Sequence, residues 1–415
     1  MMGEKIGHIA QMPAITWYGL KANEADMELP CRLAAAPQDS VEVVADAALL
    51  GEADAFSSAM DAAQEAWLPL HGHDEVACST AHAKDEEAAY GGLAMSAYQK
   101  RADEIELARD LRAAYQTGLG KEASAWLAEA AVKTVVFAPQ EGESHAAVHV
   151  RAHDAAAAIA AIDVVAAPGA DFTCDIVVDS PQEGNGLAAT TLRVFAGAGA
   201  HVKVRRVQTL DDSWTDLDDM GLFLDADAHV EISQSVLGAK RSVNAVAGDL
   251  RGDASRAEVA VRYLGRGASE HDFNYNLRHH GKKTECRIMA NGVLAGKSRK
   301  TLRGTIDLVK GAKGAKGAEN ESVLLVDEGV RNTTVPVILC NEDDVAGNHG
   351  ATIGHIRADQ MFYMASRGLA PDAAEQMFAG AYLEAAWLEA QDEAAKAAVA
   401  RLGDAVVDDF EEVCA

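Results

Sequence analysis

Residues 292–298, Gly-Val-Leu-Ala-Gly-Lys-Ser, end like a loop that wraps backbone N–H groups round phosphates. Residues 323–328, Val-Leu-Leu-Val-Asp-Glu, look like the magnesium-holding strand that often accompanies such a loop. Only three residues separate Gly292 from Gly296, one fewer than the loop needs. The stretch that follows, 301–308, alternates like a strand, whereas the motif requires a helix N-terminus facing the anion. An NTPase reading rests on this segment alone, and a turn between two strands explains it better.

A second group gathers His271, His279 and His280 with Glu270, Asp272, Glu285 and Cys286. On adjacent turns of a repeat these could converge on a metal. His279 and His280 are neighbours on a strand, so they point to opposite faces and at most one could serve a given site. A hydrogen-bonded polar face is the simpler account. The third feature is 335–354, where an apolar strand ends in the acidic turn Glu342-Asp343-Asp344 and His349 follows among Gly347, Gly350 and Gly354. Glycine allows close backbone approach, and a neutral imidazole there suits a metal ligand or proton carrier. One histidine without a second ligand makes no complete site, so a core or capping histidine stays open.

The elements that must position these groups fall into three zones. Residues 1–133 are rich in Ala, Glu, Leu and Met, with the strongest helical pattern over 84–115 and a short helix expected over 121–133. From 134 to 341 the period changes to two: Val202/Val204, Val230/Ile232, Val259/Val261 and Cys286/Ile288 each place apolar groups on one strand face. The blocks beginning at Gly199, Asp227, Arg256 and Lys283 also resemble one another, at offsets of 28, 29 and 27 residues. Strands repeating at that interval without helices between them predict a stacked β-solenoid rather than a sandwich or propeller. Helical pattern returns over 342–415, and helices on both sides would cover the solenoid's ends.

Composition narrows the function. There are 37 Lys and Arg against 64 Asp and Glu, a formal charge of −27, which disfavours nucleic acid and anionic membrane partners. Residues 1–12 lack the apolar run of a secretion signal, and no stretch offers the roughly 20 apolar residues of a membrane span. A cytoplasmic protein is expected. The six cysteines lie far apart with no C-x-x-C pair, so each is by default a buried small hydrophobe. A carbohydrate-active solenoid enzyme would need aromatic platforms and carboxylate clusters, and aromatics make up only 5% here.

Several segments are similar to the SufB/SufD family of iron–sulfur cluster assembly proteins, and within it to the SufD branch. They are Met12-Pro13-Ala14-Ile15-Thr16-Trp17, Arg303-Gly304-Thr305-Ile306-Asp307, residues 319–325 and 335–340, and above all His349-Gly350-Ala351 followed by Phe362-Tyr363-Met364-Ala365-Ser366-Arg367-Gly368. The resemblance implies a right-handed parallel β-helix core flanked by N- and C-terminal helical domains. It also implies a SufB-like scaffold partner at the β-helix end and a SufC-like ABC ATPase on the C-terminal helices, where Phe362, Tyr363 and Arg367 are candidate contacts. In isolation the chain could pair with a second copy.

By the same resemblance, His349 is the candidate ligand for iron or a transient cluster at the SufB-like interface. No permanently bound cofactor and no enzymatic activity are implied. SufB-like chains carry His-Glu-Ala and a cysteine in a Q-C-D-S-like stretch; this chain has His349-Gly350-Ala351 and Glu319-Asn320-Glu321-Ser322 instead. It therefore lacks the soft thiolate that iron prefers. Many SufD sequences have a cysteine two residues before the histidine, where this chain has Gly347, and Cys340 is the candidate to take that place.

Overall fold

The computed structural model describes residues 5–13, 22–29, 35–71, 111–152, 157–180, 184–355 and 358–406. Most of the helix expected over 84–115 lies outside them; only Leu111–Ala114 is helical within them. Glu52–Gln116 falls in a separate compact unit whose described residues include the helices Ala55–His71 and Leu111–Ala114, with Arg112 paired to Asp61 at 2.5 Å.

The larger unit is a parallel β-solenoid. Consecutive strands alternate between two sheets, so each turn contributes one strand to each. One sheet has eight strands: Val132–Ala138, Ala157–Ala166, Leu187–Ala196, Thr215–Leu224, Arg241–Leu250, Glu270–His279, Arg299–Leu308 and Arg331–Cys340. The other has nine: Val41–Ala45, Glu143–Arg151, Asp171–Asp179, His201–Gln208, His229–Val236, Arg256–Gly265, Glu285–Leu294, Lys316–Leu325 and Ala346–His355. All pairings within these two sheets are parallel except that of Val41–Ala45 with Glu143–Arg151. Many corners need left-handed backbone, supplied by Gly199 and Gly296 at φ of 66° and 69° and, without glycine, by Asp227 at 56°.

The predicted period holds, with one correction. Val202 pairs with Val230 as the 28-residue offset requires, but Val230 pairs with Ala257, not Val259. The third block lies two residues out of the register that its sequence likeness suggests. A two-residue slip keeps every apolar side chain on the same face, so alternation cannot detect it.

Inward-facing residues make one continuous core, including Cys174, Val204, Ile232, Val259 and Ile288 in a single column. Cys174 and Cys286 belong to it, and burial pushes both thiols up to about 12. Cys31, Cys78 and Cys414 lie outside the described residues.

Three of the described helices pack on the walls of the solenoid. The helix Lys121–Ala130 seats Ala123 and Leu127 on Ile159, Leu187, Leu217 and Val243, the outer face of the eight-stranded sheet. The helices Pro371–Glu389 and Glu393–Val406 bury Leu383, Ala386 and Val399 on Val177, Val207, Leu264 and Val293, the outer face of the other. Those columns are apolar on their outward side, which draws the helices to the walls. A strand, Ala346–His355, also follows residue 341, where the helical zone was expected to begin. Among the described residues no helix is long and apolar enough to cross a membrane.

Candidate functional site at the open end of the solenoid

Ala346–His355 is the last strand of its sheet and pairs only with Lys316–Leu325, so its other edge carries no strand among the described residues. It is exposed almost throughout, unlike the strands before it. His349 thus sits in a β-ladder, within the span where helical pattern was expected to return. Low β-propensity of Gly and Asn hid this strand, which the parallel ladder beneath it imposes.

Alternation fixes where His349 points. A Cβ on Gly347 would meet Ile338 at 3.0 Å and Leu308 at 3.7 Å, so odd positions of this strand face the interior. His349 therefore lies on the inner face, in register with Glu319, which in turn follows Ile288. The inner column thus changes from aliphatic to Glu319 and then His349 as it reaches the open end.

Behind the opening the interior is polar. The Lys300 ammonium pairs with Glu321 and donates to Thr334 Oγ1 at 3.0 Å, while the Thr334 hydroxyl donates to Glu321 Oε2 at 2.6 Å. Lys300 and Glu321 are almost completely buried, and burial draws the Lys300 pKa down against the pull of Glu321. Glu319 lies over the Cα of Gly304, where a methyl group would meet its carboxylate at 2.4 Å. Its pKa is pushed up to about 7 by burial, with the Glu321 charge adding and Lys300 opposing. Deeper still, Arg206 pairs with Asp216 at 2.5 Å, and Gln234 links Asp218 to the Tyr275 hydroxyl at 2.5 and 2.6 Å.

Cys340 ends the last strand of the eight-stranded sheet and is exposed, with its thiol donating to the Glu342 carbonyl at 3.3 Å. Neither Cys340 nor His349 joins a cluster of three or more potential ligand atoms among the described residues. Phe362 and Tyr363 are 76% and 57% exposed on the helix Ala358–Ser366. Arg367 covers the Tyr363 ring at 5.2 Å and donates to its hydroxyl at 3.0 Å.

The other motifs resolve as structural groups. Residues 292–294 end one strand and 295–298 turn into the next, where the Gly296 amide donates to Asp327 at 2.5 Å. His271 lies between Ser242 and Ser269, His279 bonds Thr284 at 2.7 Å and His280 bonds Asp249 at 2.7 Å. The histidines do not converge on a common point with one another. Sequence reasoning missed the Lys300–Glu321 and Arg206–Asp216 pairs; inward parity of charged residues in otherwise apolar columns was the available signal.

Fold and site together define a two-sheet parallel β-solenoid with helices on its walls and a polar C-terminal end whose last strand is unpaired on its outer edge among the described residues. The chain belongs to the SufBD family: the family described as SUF system FeS cluster assembly, SufBD core domain, matches residues 148–382, more than half of its length. It is similar to the iron-sulfur cluster assembly protein SufD of Bacillus subtilis, 26% identical over 185 residues, or 44% of this chain and 42% of that protein. A SufBD family protein of Mycobacterium leprae is 28% identical over 199 residues, covering 48% of this chain and 23% of that one. The chloroplastic protein ABCI8 of Arabidopsis thaliana is 26% identical over 197 residues, 45% and 35% of the two chains. Each match spans less than half of the relative's length.

Proposed function

We propose that this chain is the SufD-like, non-ATPase subunit of a SufBCD-type iron–sulfur cluster assembly complex in the cytoplasm. Its open end pairs with a SufB-like scaffold, and iron or a nascent cluster is held there as transient cargo, with His349 contributing a nitrogen ligand. Cys340 is a secondary candidate. The C-terminal helices, with Phe362, Tyr363 and Arg367, meet a SufC-like ABC ATPase, which supplies the hydrolysis.

The observation that carries the reading is His349 on an exposed strand whose outer edge is unpaired among the described residues. Such an edge is a template for another chain, and a closed ladder across it would join two bodies with ligands from each. A cluster held between separate bodies can be released when ATP-driven movement shifts them. The exposed Phe362 and Tyr363 support a docking role for the helix that carries them.

Co-expression with the host's SufB-like and SufC-like proteins, purification without oxygen and light scattering test it. A stable ternary complex is expected. A chain that stays solitary, or forms only a dimer with itself in the presence of both, overturns the proposal.

A further inference from the structure

Two histidines stack on the outer wall of the nine-stranded sheet, well away from the open end. His201 and His229 are register partners on neighbouring strands, with ring centroids 4.8 Å apart and planes within 5°. Parallel strands hold in-register side chains ~4.8 Å apart, so this stacking follows directly from the ladder. Glu231, two residues along from His229 on the same face, shares a 2.5 Å hydrogen bond with His201 Nε2. One potential ligand atom from each of the three lies within 4.8 Å of the others.

One atom of this group is unsatisfied. His229 Nε2 is buried and has no hydrogen-bond partner, and a Glu258 carboxylate oxygen stands 3.8 Å from it, beyond bonding distance. A buried ring nitrogen without a partner is costly and calls for an explanation. The cationic neighbours Lys203 and Arg256, in register with Glu231 and His229, are potential donors, yet neither donates to this nitrogen.

We propose that His201, His229 and Glu231 form a site for one divalent first-row transition ion of the Zn2+ or Fe2+ class, with Glu258 as the fourth ligand. Two imidazole nitrogens with carboxylate oxygens are borderline donors, suited to these ions and poorly suited to Mg2+ or Ca2+. The ion replaces the proton shared by His201 and Glu231 and takes up the unpaired nitrogen of His229. Four strand spacings of ~4.8 Å, roughly 19 Å, separate the strand of His229 from that of His349, so the two sites are distinct. The proposal does not depend on the cluster-assembly reading.

The test is a Co2+ titration of the full chain after chelation and desalting, followed by visible absorption, with Zn2+ as competitor. One Co2+ with ligand-field bands that Zn2+ bleaches is expected. His229→Gln and Glu231→Gln should each weaken binding by at least about tenfold. Melting in chelator shows whether the variants fold; added Zn2+ should then raise the melting temperature of the wild type more than that of either variant. Absence of bound Co2+ in the wild type, or the same bands in a His201→Gln/His229→Gln variant, overturns the site.

Discussion

The two ends of the solenoid are built on opposite principles. At the first turns the interior is small and apolar, with Ala146, Val148, Ala160 and Ile162, and Val41–Ala45 adds an antiparallel strand that covers the sheet edge. A short bridge from Leu50 to Val136 ties the neighbouring sheet. At the last turns Lys300, Glu319, Glu321 and Thr334 line the inside, and Ala346–His355 is left exposed. An apolar interior has to be shielded from water, whereas a polar one tolerates an opening. The same repeat can therefore be closed at one end and receptive at the other, and this contrast can be broken experimentally in four ways.

The largest effect belongs to the covered end. Val148→Asp buries a charge in the apolar first turns and should cost about 4 kcal/mol or more, read as loss of a cooperative melt. Next comes the buried pair behind the opening. Lys300→Met leaves Glu321 uncompensated and should cost about 3 kcal/mol in urea unfolding, and adding Glu321→Met should restore most of it.

A smaller effect follows from Glu319. Its pKa rises from 4.5 unfolded to about 7 folded, so its contribution to stability is full below pH 4.5 and lost as pH rises through 7. His271 and His279 work the other way. Burial lowers both to about 4, so their contribution is full above pH 6.5 and lost as pH falls towards 4. Glu319→Gln should therefore remove a loss of stability on going from pH 4.5 to 7, measured as the pH dependence of the urea midpoint. An unchanged profile would place the carboxyl in water.

The smallest effect on the isolated chain is expected at the open edge. Ile353 is 46% exposed there, and Ile353→Lys should change stability by less than about 0.5 kcal/mol. On the proposed function it should still abolish pairing with the SufB-like protein, as seen by light scattering. Loss of stability without loss of pairing would reverse the comparison.

Much of this architecture was legible beforehand, for identifiable reasons. Two-residue alternation and the 28-residue echo of Val202 in Val230 predicted stacked strands, because a parallel ladder forces equivalent residues into register. The slip at Ala257 escaped because alternation repeats every two residues. The strand carrying His349 escaped because its glycines are weak strand formers and blur the two-residue alternation. Cross-core pairs such as Arg206–Asp216 depend on which turn faces which, and one strand's pattern holds no record of that. The stack of His201 on His229 stood in the repeat alignment as two histidines 28 residues apart, unremarked as a pair.

Hydrogen–deuterium exchange on the chain alone and in complex with the SufB-like partner tests the central claim most directly. Alone, amides of Ala346–His355 should exchange quickly and those of Glu143–Arg151 slowly. In the complex, protection should appear across 346–355 while 143–151 stays as it was. A complex that forms with 346–355 still exchanging quickly would contradict the account, because the partner would then be held somewhere other than the open end.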